Sequence, residues 1–208
     1  LLSSGESDGD PNFAIYFDSS SRLNILFYSG ASTVLQYITN RVFRDVSAWS
    51  NIVVAVDTTQ ATASNRVRLY VNGTEETSFS TETDPSQNTD ISINTSSYRI
   101  AVGAGVDNGD TFEGVLAHVH FIDGTAYSSS TFGETDSTTG IWKPKTAPSV
   151  TYGTNGFFLK FENSGAFGTD SSGNSNTFTV NGTMTQTIDT PSNVFATMNP
   201  LGKSPTGT

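Results

Sequence analysis

Residues 49–73, WSNIVVAVDTTQATASNRVRLYVNG, contain two apolar runs that are separated by a small polar segment. In the first run, Ile52–Val56, both alternating faces are apolar and most residues are β-branched, which is typical of a strand buried on both sides or nearly so. In residues 66–71 apolar and polar side chains alternate, as in a half-solvated strand. Asn72 and Gly73 both tolerate positive φ, which favours a tight reversal. The stretch therefore predicts antiparallel β-sheet.

Other strand candidates follow along the chain at the spacing of an all-β sandwich. They lie at residues 12–18, 22–28, 33–38, 41–46, 74–79, 91–93, 98–102, 112–122 and 156–161, with a weak one at 177–180. Between them, Thr39-Asn40 favours a turn, and residues 80–90 and 124–150 are typical of irregular segments. No long helical apolar period is visible, so an α/β fold is disfavoured.

These patterns predict an all-β fold, an antiparallel jelly-roll-like β-sandwich. The 19 glycines and the charged fraction of 14% fit many short strands joined by tight turns. We place the body of the sandwich in residues 1–148. Residues 149–208 form a trailing segment that either completes the sheet edge or leads to a next module.

The formal net charge of −10 disfavours two classes of partner. Nucleic acid and anionic membrane surfaces would both repel such a chain, so we expect neither as a partner. No apolar run reaches the roughly 18 residues that a membrane-spanning helix needs, so no membrane span is predicted. The chain has no cysteine, which leaves its compartment open because secreted and cytosolic domains of this size can both lack disulfides.

Six phrases spread over the chain carry a resemblance to a known family. They are WSNIVVAVDTTQATASNRVRLYVNG, FEGVLAHVHFIDGTA, TFGETDSTTGIWKPK, YGTNGFFLKFENS, GTDSSGNSNTFTV and DTPSNVFATMNPLG. In this order they resemble the laminin-G-like, concanavalin-A-like sandwich modules of bacteriophage virion proteins, many of them from marine phages. The resemblance covers roughly residues 12 to 202.

The resemblance implies a non-enzymatic structural module of a tail fibre or tail spike, located on the virion surface. It implies other virion proteins as partners, a homo-oligomer that is a trimer by family analogy, and contact with host-surface glycan. It also implies that the first strands of the sandwich lie upstream of Leu1 and that further modules follow. Two other functions stay open. One is a capsid-decorating or head-fibre protein, and the other is a bacterial cell-surface lectin or adhesin.

Sandwiches of this architecture include polysaccharide hydrolases, which need two carboxylates on one strand face, in a Glu-x-Asp-x-x-Glu pattern. The nearest match is Glu134-Thr135-Asp136, with Thr139 where the second glutamate would stand. The segment is also typical of a loop rather than a strand. Since the acid/base partner is missing, we predict that the protein is not an enzyme.

Two acid-rich turns are candidate Ca²⁺ sites, because this hard cation prefers several oxygen ligands. The first contains Asp107, Asn108 and Asp110, which are also candidate ligand-binding residues, and the second begins at Asp170. Laminin-G-like modules often bind Ca²⁺ at the rim of the sandwich. Both turns are equally consistent with ordinary Asx chemistry, in which the side chain binds its own backbone. No other cofactor is predicted.

Three aromatic or imidazole side chains have two interpretations each. Trp142 lies beside Pro144 and could stack on a sugar ring, or it could plug an irregular segment onto the core. His118 and His120 share one strand face, where they could bind Zn²⁺ or act as a protonation switch. No third zinc ligand is visible, so for the histidines we expect a half-exposed sheet face.

Overall fold

The computed structural model describes residues 1–6, 12–95, 97–106, 109–188 and 190–191. The strands in these residues are β1 Leu2–Gly5, β2 Phe13–Phe17, β3 Arg22–Ser29, β4 Ser32–Val42, β5 Ile52–Val56, β6 Val67–Val71, β7 Thr74–Glu76, β8 Phe79–Thr83, β9 Arg99–Val102, β10 Val119–Phe121, β11 Gly133–Thr135, β12 Trp142–Pro144 and β13 Phe157–Leu159. A helical turn, α1, spans Ser129–Phe132, and a 3₁₀ turn spans Ala63–Asn65. Among the described residues, no helix has the length and apolar character to cross a membrane.

Two antiparallel sheets pack face to face and form the sandwich. The large sheet has the strand order β8-β4-β3-β2-β1-β9, and the small sheet has the order β5-β6-β7. Two short pairs, β10 with β13 and β11 with β12, lie outside these sheets. All of these pairings are antiparallel. The predicted all-β antiparallel sandwich is therefore confirmed.

The opening hairpin forms as its pattern predicts. Ile52 pairs with Val71 and Val56 pairs with Val67. The φ angles of Asn72 and Gly73 are 50° and 79°, which are the values that a primed hairpin turn requires. The alternating apolar residues of β6 are buried, and this face lies against the large sheet.

The core lies between the two sheets and is built from every second residue of β2, β3 and β4. It contains Phe13, Leu23, Ile25, Phe27, Leu35 and Tyr37 of the large sheet with Val67 and Leu69 of the small sheet. Leu23, Ile25 and Leu35 are 0% exposed. Because every second residue of these strands is apolar and points to the same side of the sheet, the side chains together form one continuous apolar layer.

The turn predicted at Thr39-Asn40 is wrong, because β4 runs without interruption through both positions. A bulge between Ile38 and Thr39 takes up the irregularity. The Thr39 side chain is buried, and its Oγ1 accepts the Leu23 N–H at 3.1 Å while donating to the Arg41 carbonyl at 2.8 Å. A polar residue is tolerated there because its hydrogen bonds are made inside the sheet.

Several predicted element boundaries are also wrong. The strand predicted at 74–79 ends at Glu76, and the loop predicted to begin at residue 80 starts as β8, which pairs with β4. As an edge strand β8 needs little apolar content beyond Phe79, whose ring packs on Tyr37 with centroids 4.9 Å apart. Residues 91–93 and 177–180 form no strand.

The apolar run 112–122 contains a strand only at β10. The φ of His118 is 52°, a left-handed conformation that interrupts an extended chain just before β10. The predicted strand at 156–161 is confirmed in its centre as β13, which pairs with β10. Residues 124–150 are less irregular than expected, because they contain α1 and the β11–β12 pair.

Candidate functional site

The outer face of the large sheet carries the second set of alternating residues from β2 and β3. Tyr16 pairs with Asn24 and Ala14 pairs with Leu26, so each pair shares the face that points away from the core. Arg22 and Tyr28 follow on this face by alternation along β3. We call the following residues the tyrosine face: Tyr16, Asp18, Arg22, Asn24 and Tyr28.

An ion pair fixes the polar end of the tyrosine face. Arg22 Nε and Nη2 lie 2.8 Å and 2.7 Å from Asp18 Oδ2. Asp18 Oδ1 accepts the backbone N–H groups of Ser20 and Arg22, each at 2.9 Å. The Arg22 backbone N–H lowers the pKa of Asp18, desolvation opposes it, and the guanidinium lowers it further. Asp18 is therefore ionised and fixed in position, with Arg22 partly exposed beside it.

The aromatic end of the tyrosine face combines the exposed Tyr16 and the half-buried Tyr28 with buried neighbours. Tyr16 is 38% exposed, whereas Ala14 and Leu26 are buried. Burial, then the nearby Tyr28 and Asp18, raises the pKa of Tyr16, so its phenol is neutral and can both donate and accept a hydrogen bond. Asn24 is buried, and its Nδ2 donates to the Arg22 carbonyl at 3.2 Å.

This arrangement has the chemistry that binds a polyhydroxylated ligand. The Asp18 carboxylate already accepts four hydrogen bonds and orients Arg22, so the groups left for a ligand are the partly exposed guanidinium and the Tyr16 phenol, which can donate to ring or hydroxyl oxygens. A Tyr ring offers an apolar plate with a polar tip, which suits a ligand whose own faces are apolar and whose edges are polar. The tyrosine face is therefore the candidate carbohydrate site of the sandwich.

The sequence held a signal for this site, but our prediction did not use it. In FAIYF and RLNILFY the residues between the core positions include Tyr16, Arg22, Asn24 and Tyr28 of the tyrosine face. The same alternation predicts any half-solvated strand, so the pattern alone does not distinguish a binding face from an ordinary one. Only the pairing of β2 with β3 brings Tyr16 beside Asn24.

Trp142 lies on β12 and packs against glycines of two neighbouring elements. A Cβ built on Gly73 would lie 2.4 Å from the nearest ring atom of Trp142, and a Cβ on Gly133 would lie 2.6 Å from it. Its Nε1 donates to Asn51 Oδ1 at 3.3 Å. The ring thus joins the β11–β12 pair to the turn between β6 and β7. Trp142 therefore packs an otherwise irregular segment onto the sandwich, as the second interpretation predicted. A role of Trp142 in sugar binding stays a prediction.

The first predicted Ca²⁺ turn is only partly described. Asp107 and Asn108 lie outside the described residues. Asp110 is exposed, and its backbone carbonyl accepts the Gly105 N–H at 3.1 Å. Within the described part of the chain, no cluster of three or more His, Asp or Glu side chains is arranged to hold a metal ion. The role of this turn stays a prediction.

Asp170, the second candidate, binds the chain's own backbone. Its Oδ1 accepts the N–H groups of Phe158 and Ser172, each at 2.8 Å. Its Oδ2 accepts the Asn176 N–H and the Ser172 hydroxyl, each also at 2.8 Å. Burial acts to raise the pKa of Asp170, but these hydrogen bonds outweigh it and lower the pKa. Four donors occupy the oxygens that a cation would need, so the geometry favours an Asx anchor.

Two asparagines of the same turn extend this anchor. Asn174 Nδ2 donates to the carbonyls of Gly153 and Gly156 at 2.6 Å and 2.8 Å. Asn176 Nδ2 donates to the Gly156 carbonyl at 2.9 Å and to that of Thr154 at 3.1 Å. The polar phrase DSSGNSN therefore ties itself to the chain on the amino-terminal side of β13.

The nearest match to a glycosidase motif does not have glycosidase geometry. Glu134 and Thr135 lie on β11, so the segment is not the loop that we predicted. Asp136 Oδ2 lies 2.9 Å from Lys143 Nζ, and its Oδ1 accepts the N–H groups of Thr138 and Thr139. The Lys143 ammonium and these N–H groups hold the pKa of Asp136 well below its usual range. A carboxylate fixed in this way is a poor proton donor.

The fold defines the class: an antiparallel β-sandwich of concanavalin A type. Comparison with protein families gives the family. The model described as the concanavalin A-like lectin/glucanases superfamily, in its laminin G form, matches residues 1–131, and the chain belongs to this family. Neither the curated proteins nor the solved structures contain a match to the chain. Membership of this family indicates a carbohydrate-binding or structural module.

Proposed function

We propose that this chain is a non-enzymatic structural module of a bacteriophage virion, in a tail fibre or tail spike, and that its tyrosine face binds host-surface glycan. The family supports a lectin-type module, and the six phrases quoted above support the virion. The observation that carries the glycan assignment is the fixed Asp18–Arg22 pair beside the partly exposed Tyr16 on one sheet face. The proposed partners are other virion proteins and further copies of the chain.

A neutral or weakly cationic glycan fits this surface best. The chain carries a net charge of −10, so polyanionic sugars would be repelled over most of the surface. The Asp18–Arg22 pair has no net charge of its own, and together with the Tyr16 phenol it offers both donors and an acceptor. Neutral hexoses, whose hydroxyls both donate and accept, therefore match it better than sulfated or sialylated chains.

A glycan array with the whole chain tests the proposal, run once with Ca²⁺ and once with EDTA. We expect reproducible binding to a class of neutral glycans in both buffers, because the tyrosine face needs no metal. In the Tyr16→Ala and Arg22→Met variants we expect at least a tenfold weaker affinity, equal to about 1.4 kcal/mol of binding free energy. Ile141→Ala is the matched control, since Ile141 is exposed but lies away from the large sheet.

Three other outcomes would overturn parts of the proposal. Binding that disappears in EDTA would move the site to the turn at residues 107–110. Binding that survives Tyr16→Ala but not Trp142→Ala would move it to the β11–β12 pair. No detectable binding to the array in either buffer would contradict glycan recognition and favour a capsid-decorating module that binds other virion proteins.

A further inference from the structure

The two histidines of the chain lie where β10 meets β13. The His120 ring stacks on Phe158, with centroids 3.9 Å apart and an interplanar angle of 16°. Its Nδ1 lies 2.8 Å from the Tyr152 hydroxyl. The His118 ring meets Phe158 edge-on, with centroids 5.6 Å apart. Both imidazoles are thus part of an aromatic cluster, which we call the histidine cluster: His118, His120, Tyr152 and Phe158.

His118 is held in an unfavourable state within this cluster. Its φ of 52° is rarely adopted by a bulky residue. Among the described residues, its buried Nδ1 has no hydrogen-bond partner. A buried polar atom without a partner costs free energy, and unusual backbone angles often mark functional positions. The histidine cluster therefore contains a destabilising residue, His118, as well as the stabilising stack of His120 on Phe158.

No carboxylate is hydrogen-bonded to either imidazole in the described structure. The charged groups near the cluster are Lys160, Glu162 and Asp170. The Lys160 ammonium lies 5.6 Å from the centroid of Phe158, and the four acceptor positions of the Asp170 carboxylate are occupied by other donors. A proton on His120 would therefore create a cation without a hydrogen-bonded carboxylate, in a place where water is partly excluded, whereas His118 has Glu162 nearby.

The electrostatics of the two rings agree with this geometry. Burial and, to a smaller extent, the neighbouring His118 lower the pKa of His120 to about 4. Burial also lowers the pKa of His118, while Glu162 raises it and Lys160 lowers it. Both histidines therefore favour the neutral state in the folded chain.

We propose that the histidine cluster is an acid-sensitive latch, and that mild acidification weakens the pairing of β13 with β10 so that the pair opens more often. Protonation of an imidazole weakens the stack on Phe158, because removing the charged ring from water costs more than its aromatic neighbours return. With both ring nitrogens protonated, the Nδ1 of His120 can only donate to the Tyr152 hydroxyl oxygen. Separation of β13 frees the chain that follows it from the sandwich body. This inference does not depend on the proposed function.

The direction of the pH dependence follows from the sign of the shift. The pKa of His120 is lower in the folded state than the ordinary value of 6.5. The contact is therefore fully stable above pH 6.5 and loses stability as the pH falls from 6.5 towards about 4. This window lies above the ordinary pKa of an aspartate, so Asp170 does not titrate in it.

Hydrogen exchange of the whole chain at pH 7 and pH 5, corrected for the intrinsic pH dependence, tests the latch. We expect the protection of the amides in β10 and β13 to fall about tenfold at pH 5, as the shifted proton affinity requires. The amides of β3 serve as the internal reference and should keep their protection. Equal loss in both regions would mean global acid unfolding and would overturn the inference, as would no loss in either.

Two variants and an NMR titration test whether the loss of protection at pH 5 is due to the histidines. His120→Phe keeps a ring that can stack on Phe158 but cannot be protonated, so the pH dependence of β13 exchange should largely disappear. His118→Gln keeps a polar side chain and reduces the effect by less. An NMR titration of the wild-type imidazole resonances does not depend on either variant folding. Midpoints near 6.5 for both histidines would contradict the latch.

Discussion

Residues 13–83 and residues 112–178 hold their shape by different means. In the first region the strands are long, their side chains alternate, and the residues between the sheets are almost fully buried. In the second region the strands have three residues each, and aromatic rings and side-chain amides make most of the connections. Both regions bury apolar side chains, such as Phe157 and Leu159 in the second, but in the second region side-chain hydrogen bonds to backbone carbonyls and ring contacts add to this burial.

This difference matters for function as well as for stability. A region held by a continuous apolar layer unfolds as a unit, since every strand loses the same core. A region whose short strands are joined by separate side-chain contacts can open locally, one contact at a time. The tyrosine face lies on the first kind of structure, which suits a rigid binding surface. The histidine cluster lies in the second kind, which suits a latch.

Leu23→Ala should have the largest effect, because it removes a fully buried side chain from the shared core. We expect a loss of about 4 kcal/mol in the free energy of unfolding, from lost burial and the cavity that remains. Urea denaturation followed by circular dichroism measures it. Val46→Ala is the control, since Val46 is fully exposed, and should change stability by less than about 0.5 kcal/mol. A small effect at Leu23 would break the contrast between the two regions.

Gly73→Ala tests the contact through which the two regions meet at Trp142. The new Cβ would overlap the indole ring at 2.4 Å, and Gly133 closes off another part of that ring. We expect a loss of about 3 kcal/mol by the same urea measurement, from the clash and from an alanine at positive φ.

Gly30→Ala is the matched control for this substitution. Gly30 also has a positive φ, of 57°, but a Cβ there would meet nothing within 4 Å. It should therefore cost only the backbone strain, about 1 kcal/mol. Equal losses for the two variants would mean that Trp142 yields readily and does not join the regions.

Asp170→Asn should have a smaller and more local effect. The amide keeps one acceptor oxygen, but its NH₂ would face the Asn176 N–H. We expect a loss of about 2 kcal/mol in the stability of β13, because hydrogen bonds to a charged group are replaced by weaker ones. The measurement is hydrogen exchange of the Phe158 amide, whose partner is Asp170 itself.

The reference for Asp170 is Asp45→Asn, which alters an exposed Asx turn and should leave the Phe158 amide unchanged. The same hydrogen-exchange experiment also tests whether Asp170 binds Ca²⁺. Added Ca²⁺ should not protect Phe158 in the wild-type chain, because Asp170 already has four donors. Protection by Ca²⁺ would restore Asp170 as a cation ligand. Loss of protection throughout β3 would show that the two regions are not separable.

Sequence reasoning performed unevenly over these two regions, for a physical reason. The strands β5 and β6 and the reversal at Asn72-Gly73 were predicted, since apolar patterning and turn residues act locally. Thr39 was taken for a turn, because its side-chain hydrogen bonds to Leu23 and Arg41 become possible only when β3 and β4 are side by side. The strand β8 was missed because an edge strand can be polar.

For the candidate sites, too, the sequence left open whatever depends on contacts between distant residues. The phrase DSSGNSN was recognised as either a cation site or turn chemistry, and the choice between them depends on the carbonyls of Gly153 and Gly156 and on the N–H of Phe158, which are distant in sequence. Trp142 was recognised as either a sugar platform or a plug, and its neighbours Gly73 and Gly133 are likewise visible only in the folded chain.

The sequence by itself determined that this protein is an antiparallel β-sandwich, because the period of two and the turn residues act locally and agree with one another. The tertiary structure decided where the side chains of separate strands meet. It placed Tyr16 beside Asn24, stacked His120 on Phe158, and directed the Asp170 carboxylate to the backbone. These contacts join residues whose positions in the chain carry no mutual signal, so they become readable only once the strands have paired.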